Sequence, residues 1–122
     1  MNPAESLLPD PAETLEVSPQ SVAAWLHLPE IDRPRLIDCR EADEIEICHL
    51  PNHEWFPLGG FPQSVEELTR DPSRGLIVYC HHGMRSLRAA AFLRSKGFST
   101  AFSMSGGIEE WSNVVDSKVP RY

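Results

Sequence analysis

Leu76-Ile77-Val78-Tyr79-Cys80-His81-His82-Gly83-Met84-Arg85-Ser86-Leu87 holds a strand, a tight loop and a helix start in succession. The apolar, partly β-branched run ending at Tyr79 reads as a buried strand bounded by turn residues. Ser86 followed by Leu-Arg-Ala-Ala-Ala reads as the first turn of a helix that continues to Lys96. Cys80 therefore belongs at the carboxyl end of a strand, on a loop wound against a helix N-terminus. In open α/β sheets ligands bind at that end of the strands. Loop amides and the helix dipole both favour an anion there. A cysteine in that field is expected to be a nucleophilic thiolate of low pKa.

Working outward, the rest of the chain alternates strands with helices. Leu15-Glu16-Val17 predicts a short strand, and Ser18-Pro19 a helix start with serine as cap and proline at the first helical position. Val22, Trp25 and Leu26 recur at helical spacing and face the core. Further strands are expected at residues 35–38, 55–56 and 100–103. Helices are expected at 41–47, from 64 to at least 68, and at 108–114, with Gly97 just past the end of the helix after Cys80. Pro57, Gly59, Gly60 and Pro62 predict a loop. This order implies an α/β domain with a mostly parallel sheet of about five strands and helices on both faces. Pro3, Pro9 and Pro11 block regular structure, so residues 1–14 are expected to form a flexible arm, with residues 15–118 as the domain and 119–122 as a tail.

Composition narrows the partners. The chain has 122 residues, of which 41% are hydrophobic and 24% charged, as in ordinary globular domains. Eleven basic residues stand against 18 acidic ones, a net charge of −7. That balance argues against nucleic acid and against anionic membrane surfaces. No apolar run reaches membrane-spanning length. Met1-Asn2-Pro3-Ala4-Glu5 lacks the basic and apolar regions of a signal peptide, and three cysteines at unrelated spacings do not read as a disulfide framework. Reduced thiols in the cytoplasm are the expectation.

The loop at 80–86 resembles the active-site loop of rhodanese-like sulfurtransferases. Three other segments match in order: Leu36-Ile37-Asp38-Cys39-Arg40, resembling the family's Asp-x-Arg strand end; Glu44 through His49-Leu50-Pro51; and Ser105-Gly106-Gly107-Ile108-Glu109-Glu110-Trp111, resembling its Gly-Gly-x-x-x-Trp signature. The resemblance covers about residues 15–114. Cys48 and Asn52 stand where the family usually has glycine. The resemblance implies transfer of a sulfane sulfur from thiosulfate or a similar anionic donor to cyanide, a thiol or a protein, through a persulfide on Cys80 and with no cofactor. His81, His82, Gly83, Met84, Arg85 and Ser86 are then the substrate-binding residues. Loop amides would hold the charged outer sulfur, Gly83 would let the loop curl with positive φ, and Arg85 would steady the donor's oxygens. Asp38 and Arg40 are expected to act from behind the loop. Asp38 would accept hydrogen bonds from it or from Ser86, or cap the helix beginning at Glu41. Arg40 and Glu44, four apart, predict an ion pair.

Each residue also has a plainer reading. Cys80 alone could be an inert buried thiol, and Arg85 a solvated first-turn arginine. His81 and His82, with His49, His53, Cys39 and Cys48, invite a metal, but no Cys-x-x-Cys or His-x-x-x-His spacing occurs, so no metal site is expected. The histidines are expected at the pocket rim, where partial positive charge would draw an anion. Cys39 and Cys48 read most simply as core or turn residues; a resolving cysteine is the alternative, with no spacing signal for it. Cysteine phosphatases and arsenate reductases use similar logic with a Cys-x5-Arg loop, but four residues separate Cys80 from Arg85. A non-catalytic interaction module is the remaining alternative, and such modules often lack the cysteine.

Overall fold

Side chains along the central strands alternate between two apolar cores, and that alternation sets the architecture. The computed structural model describes residues 8–122. Its strands are β1 (Glu16–Val17), β2 (Arg35–Asp38), β3 (His53–Trp55), β4 (Leu76–Tyr79) and β5 (Ala101–Met104). Its α-helices are α1 (Pro19–Trp25), α2 (Ala42–Ile47), α3 (Val65–Leu68), α4 (Met84–Ser95) and α5 (Gly107–Val114). The strands lie in the order β1-β5-β4-β2-β3, every pairing parallel. Every residue of β2, β4 and β5 is buried, as a parallel sheet covered on both faces requires. Ile37, Leu76, Val78 and Ala101 pack on one side with Ala89, Ala90 and Leu93 of α4 and with Phe61 and Leu68. Leu36, Ile77, Tyr79, Phe102 and Met104 pack on the other with Val22 of α1 and Ile108 and Trp111 of α5.

The local signals acted where expected. Ser18 accepts the Ser21 N–H at 3.1 Å, with Pro19 opening α1. At the end of α4, Gly97 takes φ +92°. Its N–H bonds Arg94 O and that of Phe98 bonds Leu93 O, a Schellman closure that leaves Leu93 and Phe98 in the same core. Asn52 adopts φ +62°, a left-handed conformation that asparagine tolerates.

Several boundaries moved. The third strand is His53–Trp55, earlier than the aromatic pair at 55–56 implied, because β3 is an edge strand on which Trp55 stays half-exposed. The expected Pro/Gly loop is wound into a 3-10 helix, Leu58–Ser64. Residues 8–14 of the expected arm are tied down, since Arg94 donates to Pro11 O at 2.8 Å and to Thr14 O at 2.9 Å. Residues 1–7 of that arm lie outside the described residues. The expected tail is held as well. Ser112 Oγ donates to Val119 O at 2.9 Å, Cys48 Sγ donates to Pro120 O at 3.4 Å, and Arg121 pairs with Glu109.

Candidate active site

Cys80 emerges from β4 between β2 and β5, at the carboxyl edge of the sheet. The chain turns back through Gly83, at φ +101°, and enters α4, whose first internal bond is Leu87 N–H to Gly83 O. That turn aims amides inward. Gly83 N–H lies 3.1 Å and Ser86 N–H 3.4 Å from Cys80 Sγ, and Ser86 Oγ lies 3.5 Å from it. Ser86 is oriented from behind by Ser103 Oγ of β5, 2.7 Å away. The amides of Met84 and Arg85, in the same first turn, have no intrahelical acceptor.

A second helix holds the loop's other side. Ile108 N–H of α5 donates to Cys80 O at 2.9 Å and Glu109 N–H to His81 O at 3.1 Å. This approach requires glycine at 107, where a Cβ would overlap His81 O and come within 2.6 Å of Cys80 O. The second glycine of the Gly-Gly pair is thus a packing requirement of the cysteine loop, while Gly106 takes a left-handed φ of +75° to start the helix.

Cys39 supplies a further donor. It follows β2 as Cys80 follows β4, and Asp38 pairs with Tyr79 one step earlier. Its thiol lies in the same core as Cys80, where hydrogen-bond donation from it is the largest influence lowering the Cys80 pKa. That donation, the Ser86 hydroxyl and the amides of Ser86 and Gly83 bring the Cys80 pKa down to about 4, against the opposing effect of burial. Cys39 keeps its proton: the Cys80 charge it serves, its own burial and Asp38 all push its pKa upward, and only Arg85 opposes them. The charge settles on Cys80 because Cys80 faces the loop amides. Alkylation of Cys80 by iodoacetamide should therefore rise through pH 4 and be flat between about pH 6 and 8, as thiolate population dictates. A rate still climbing through pH 8 would show an unperturbed thiol.

The other expected site residues fall in different places. His81 stacks between His82 and Tyr122, each 3.8 Å away, and its enclosed Nε2 has no hydrogen-bond partner. Burial, then His82, lowers its pKa while Glu44 and Glu109 oppose the shift, which works against the positive charge expected at the rim. Met84 is exposed. Arg85 forms a two-pronged ion pair with Glu44, at 2.6 and 2.9 Å, while a third of its side chain stays open. The expected Arg40–Glu44 pair does not form. Arg40 precedes α2, so helical spacing does not apply, and Glu41 caps that helix in a capping box with Glu44. Arg40 instead turns inward onto Asp38, Cys48 O and the Tyr122 hydroxyl. Asp38 accepts from Arg40 and its backbone; neither the expected bond to Ser86 nor the cap of α2 is made. Sequence reasoning missed Ser103, Tyr122 and the part Glu44 plays, and it had no spacing signal to place the Cys39 thiol beside Cys80. Among the described residues, no three His, Cys, Asp or Glu side chains group as metal ligands.

A family model for the rhodanese-like domain matches residues 18–114. The chain belongs to that family. A thiosulfate sulfurtransferase, GlpE, from Pseudoalteromonas translucida is 30% identical over 101 residues, covering 83% of this chain and 94% of that protein. A rhodanese-like/PpiC domain-containing chloroplast protein of Arabidopsis thaliana is 38% identical over 94 residues, covering 75% of this chain. The match spans only 31% of that longer protein, and only 21% of a similar adenylyltransferase and sulfurtransferase, UBA4, of Candida albicans. The fold matches a rhodanese-like domain protein from Staphylococcus aureus, with TM-score 0.72 and 18% identity over 88% of this chain and 97% of that one. It also matches the human single-domain sulfurtransferase TSTD1, with TM-score 0.67 and 22% identity over 83% of this chain and 97% of that one. The rhodanese-like domain thus accounts for the parallel sheet and for the loop that carries Cys80.

Proposed function

We propose that the protein is a sulfurtransferase that carries sulfur as a persulfide on Cys80. The observation that supports this most is the Cys80 sulfur, held as a thiolate by Gly83 N–H, Ser86 and the Cys39 thiol. In the first step the thiolate attacks the outer sulfur of thiosulfate or a related donor. The donor's sulfur–sulfur bond breaks, sulfite leaves with the electron pair, and Cys80–S–S⁻ remains. In the second step an acceptor (cyanide, a thiol or a protein thiol) attacks the outer sulfur and Cys80 departs as thiolate. No electrons pass to a third party, so the cycle needs no cofactor. The unpaired amides of Met84 and Arg85 are where the outer sulfur's charge would be met. The three cysteines are free thiols, which suits a reducing compartment such as the cytoplasm. Among the described residues no helix is long and apolar enough to cross a membrane. Intact mass spectrometry after thiosulfate tests the reading: one added sulfur, mapped to Cys80 and removed by cyanide, is the expected result. Hydrolysis of p-nitrophenyl phosphate that depends on Cys80, with no thiocyanate formed, would favour a phosphatase instead.

Arg85 is assigned to the donor's oxygens, with Glu44 fixing its fork. Arg85→Ala should lower kcat/KM for thiosulfate roughly ten- to a hundredfold, the value of one charge-assisted contact of about 1.5–3 kcal/mol. The pair is partly exposed and contributes little to folding, so the melting temperature should barely move. Unchanged kinetics would make Arg85 a surface residue only.

A further inference from the structure

We propose that Cys39 is a resolving thiol for Cys80: when a hydroperoxide oxidises Cys80, Cys39 closes a disulfide with it and spares the site from irreversible oxidation. The inference rests on the Cys80 thiolate and its neighbour, and stands whether or not the protein transfers sulfur.

Three structural facts converge. First, β2 and β4 are adjacent and parallel, with Asp38 opposite Tyr79, so Cys39 and Cys80 are opposed at the next step. Neighbouring strands lie about 4.8 Å apart, inside the Cα separation of roughly 4.4–6.8 Å that a disulfide spans. Second, both side chains enter the same core beside Ile37 and Val78, so their Cβ atoms share a face. Third, Cys39 N–H donates to Tyr79 O at 3.1 Å, which carries the β2–β4 pairing through to the two cysteines. Cys48 meets none of these conditions. It packs in the opposite core, and its Sγ is directed to Pro120 O.

The chemistry balances without a cofactor. The Cys80 thiolate attacks the outer oxygen of the hydroperoxide; the O–O bond breaks, an alcohol or water leaves after taking a proton, and Cys80 becomes a sulfenic acid. Cys39 sulfur then attacks Cys80 sulfur. The S–S bond forms, the S–O bond breaks, and hydroxide leaves with the Cys39 proton as water. The two thiols lose two electrons in all and the peroxide gains them. The sulfenic acid is neutral, so the Cys80 charge that helped hold the proton on Cys39 disappears at the moment Cys39 must become the nucleophile, while burial and Asp38 still act on it. Both residues are buried, at 0% and 1% exposure, so ring closure competes well against bulky external thiols.

Trypsin separates the three cysteines, because cleavage after Arg35, Arg40, Arg74 and Arg85 places Cys39, Cys48 and Cys80 on different peptides. After a stoichiometric dose of hydrogen peroxide, the wild type should lose two hydrogen masses and yield a linked pair of peptides, 36–40 with 75–85. Dithiothreitol should restore full alkylation of Cys80. In excess hydrogen peroxide, about three equivalents or more, Cys39→Ser should accumulate sulfinic and sulfonic Cys80, with at least tenfold less thiol recovered than from the wild type treated alike, while Cys48→Ser should match the wild type. Wild-type protein in which Cys80 gains oxygen while Cys39 stays alkylatable would overturn the proposal, and so would a Cys39→Ser variant that recovers fully. The peptide linkage in the wild type decides the matter even if Cys39→Ser folds poorly.

Discussion

Cys80→Ser is expected to abolish both the thiosulfate-dependent sulfur adduct and thiocyanate formation, a loss of at least about a thousandfold in turnover. Every donor at the site converges on a sulfur that can hold negative charge near neutrality: Gly83 N–H, Ser86 N–H, Ser86 Oγ and the Cys39 thiol. A serine hydroxyl in the same place would remain protonated, and an oxygen cannot carry the transferred sulfur as a persulfide. The replacement is nearly isosteric, so the circular dichroism spectrum and α4 should be retained. Thiocyanate production at near-wild-type rate by folded Cys80→Ser would end the persulfide mechanism and send the search to another nucleophile.

Arg40→Met is expected to destabilise the fold by about 3–5 kcal/mol, the usual cost of removing one member of a buried ion pair. Both Arg40 and Asp38 have fully buried side chains. Arg40 reaches Asp38 at 2.8 and 3.0 Å, Cys48 O at 2.6 Å and the Tyr122 hydroxyl at 2.7 Å. Without the guanidinium, the buried Asp38 carboxylate keeps only the backbone N–H of residue 40 as a donor, and the Cys48 carbonyl loses the donor it had. The thermal midpoint should fall by roughly 10–20 °C for a chain of this size. Adding Asp38→Asn to Arg40→Met should recover part of the loss, since the second change removes the stranded charge. A drop of only a degree or two for Arg40→Met would show that the pair is effectively hydrated.

Much of this molecule follows from local pattern. β2 and β4 match the predicted strands residue for residue, because a short apolar run between turn residues leaves little choice of boundary. Ser18-Pro19 started α1 and Gly97 ended α4 through backbone chemistry that needs no distant partner. Cys80, Gly83 and Ser86 were legible as a loop against a helix start for the same reason. The aromatic residues at 55–56 misled about β3, since sequence alone does not tell an edge strand from an interior one.

Long-range pairing was not legible. Cys39 is 41 positions before Cys80, and they meet only because β2 and β4 are neighbours in the sheet order, in a register that puts both on one face. Glu44 was read against Arg40 on helical spacing. The helix begins after Arg40, so Glu44 is free to meet Arg85 from another element. Tyr122 reads as the end of a tail, yet it stacks on His81 and bonds Glu44 and Arg40. The sequence by itself determined the strand–loop–helix that carries the nucleophile, because hydrogen bonding along the chain and burial of alternate side chains act over a few residues. The tertiary structure alone decided which thiol, which carboxylate and which aromatic ring surround it, because those contacts depend on strand order and register, which no local run of residues encodes.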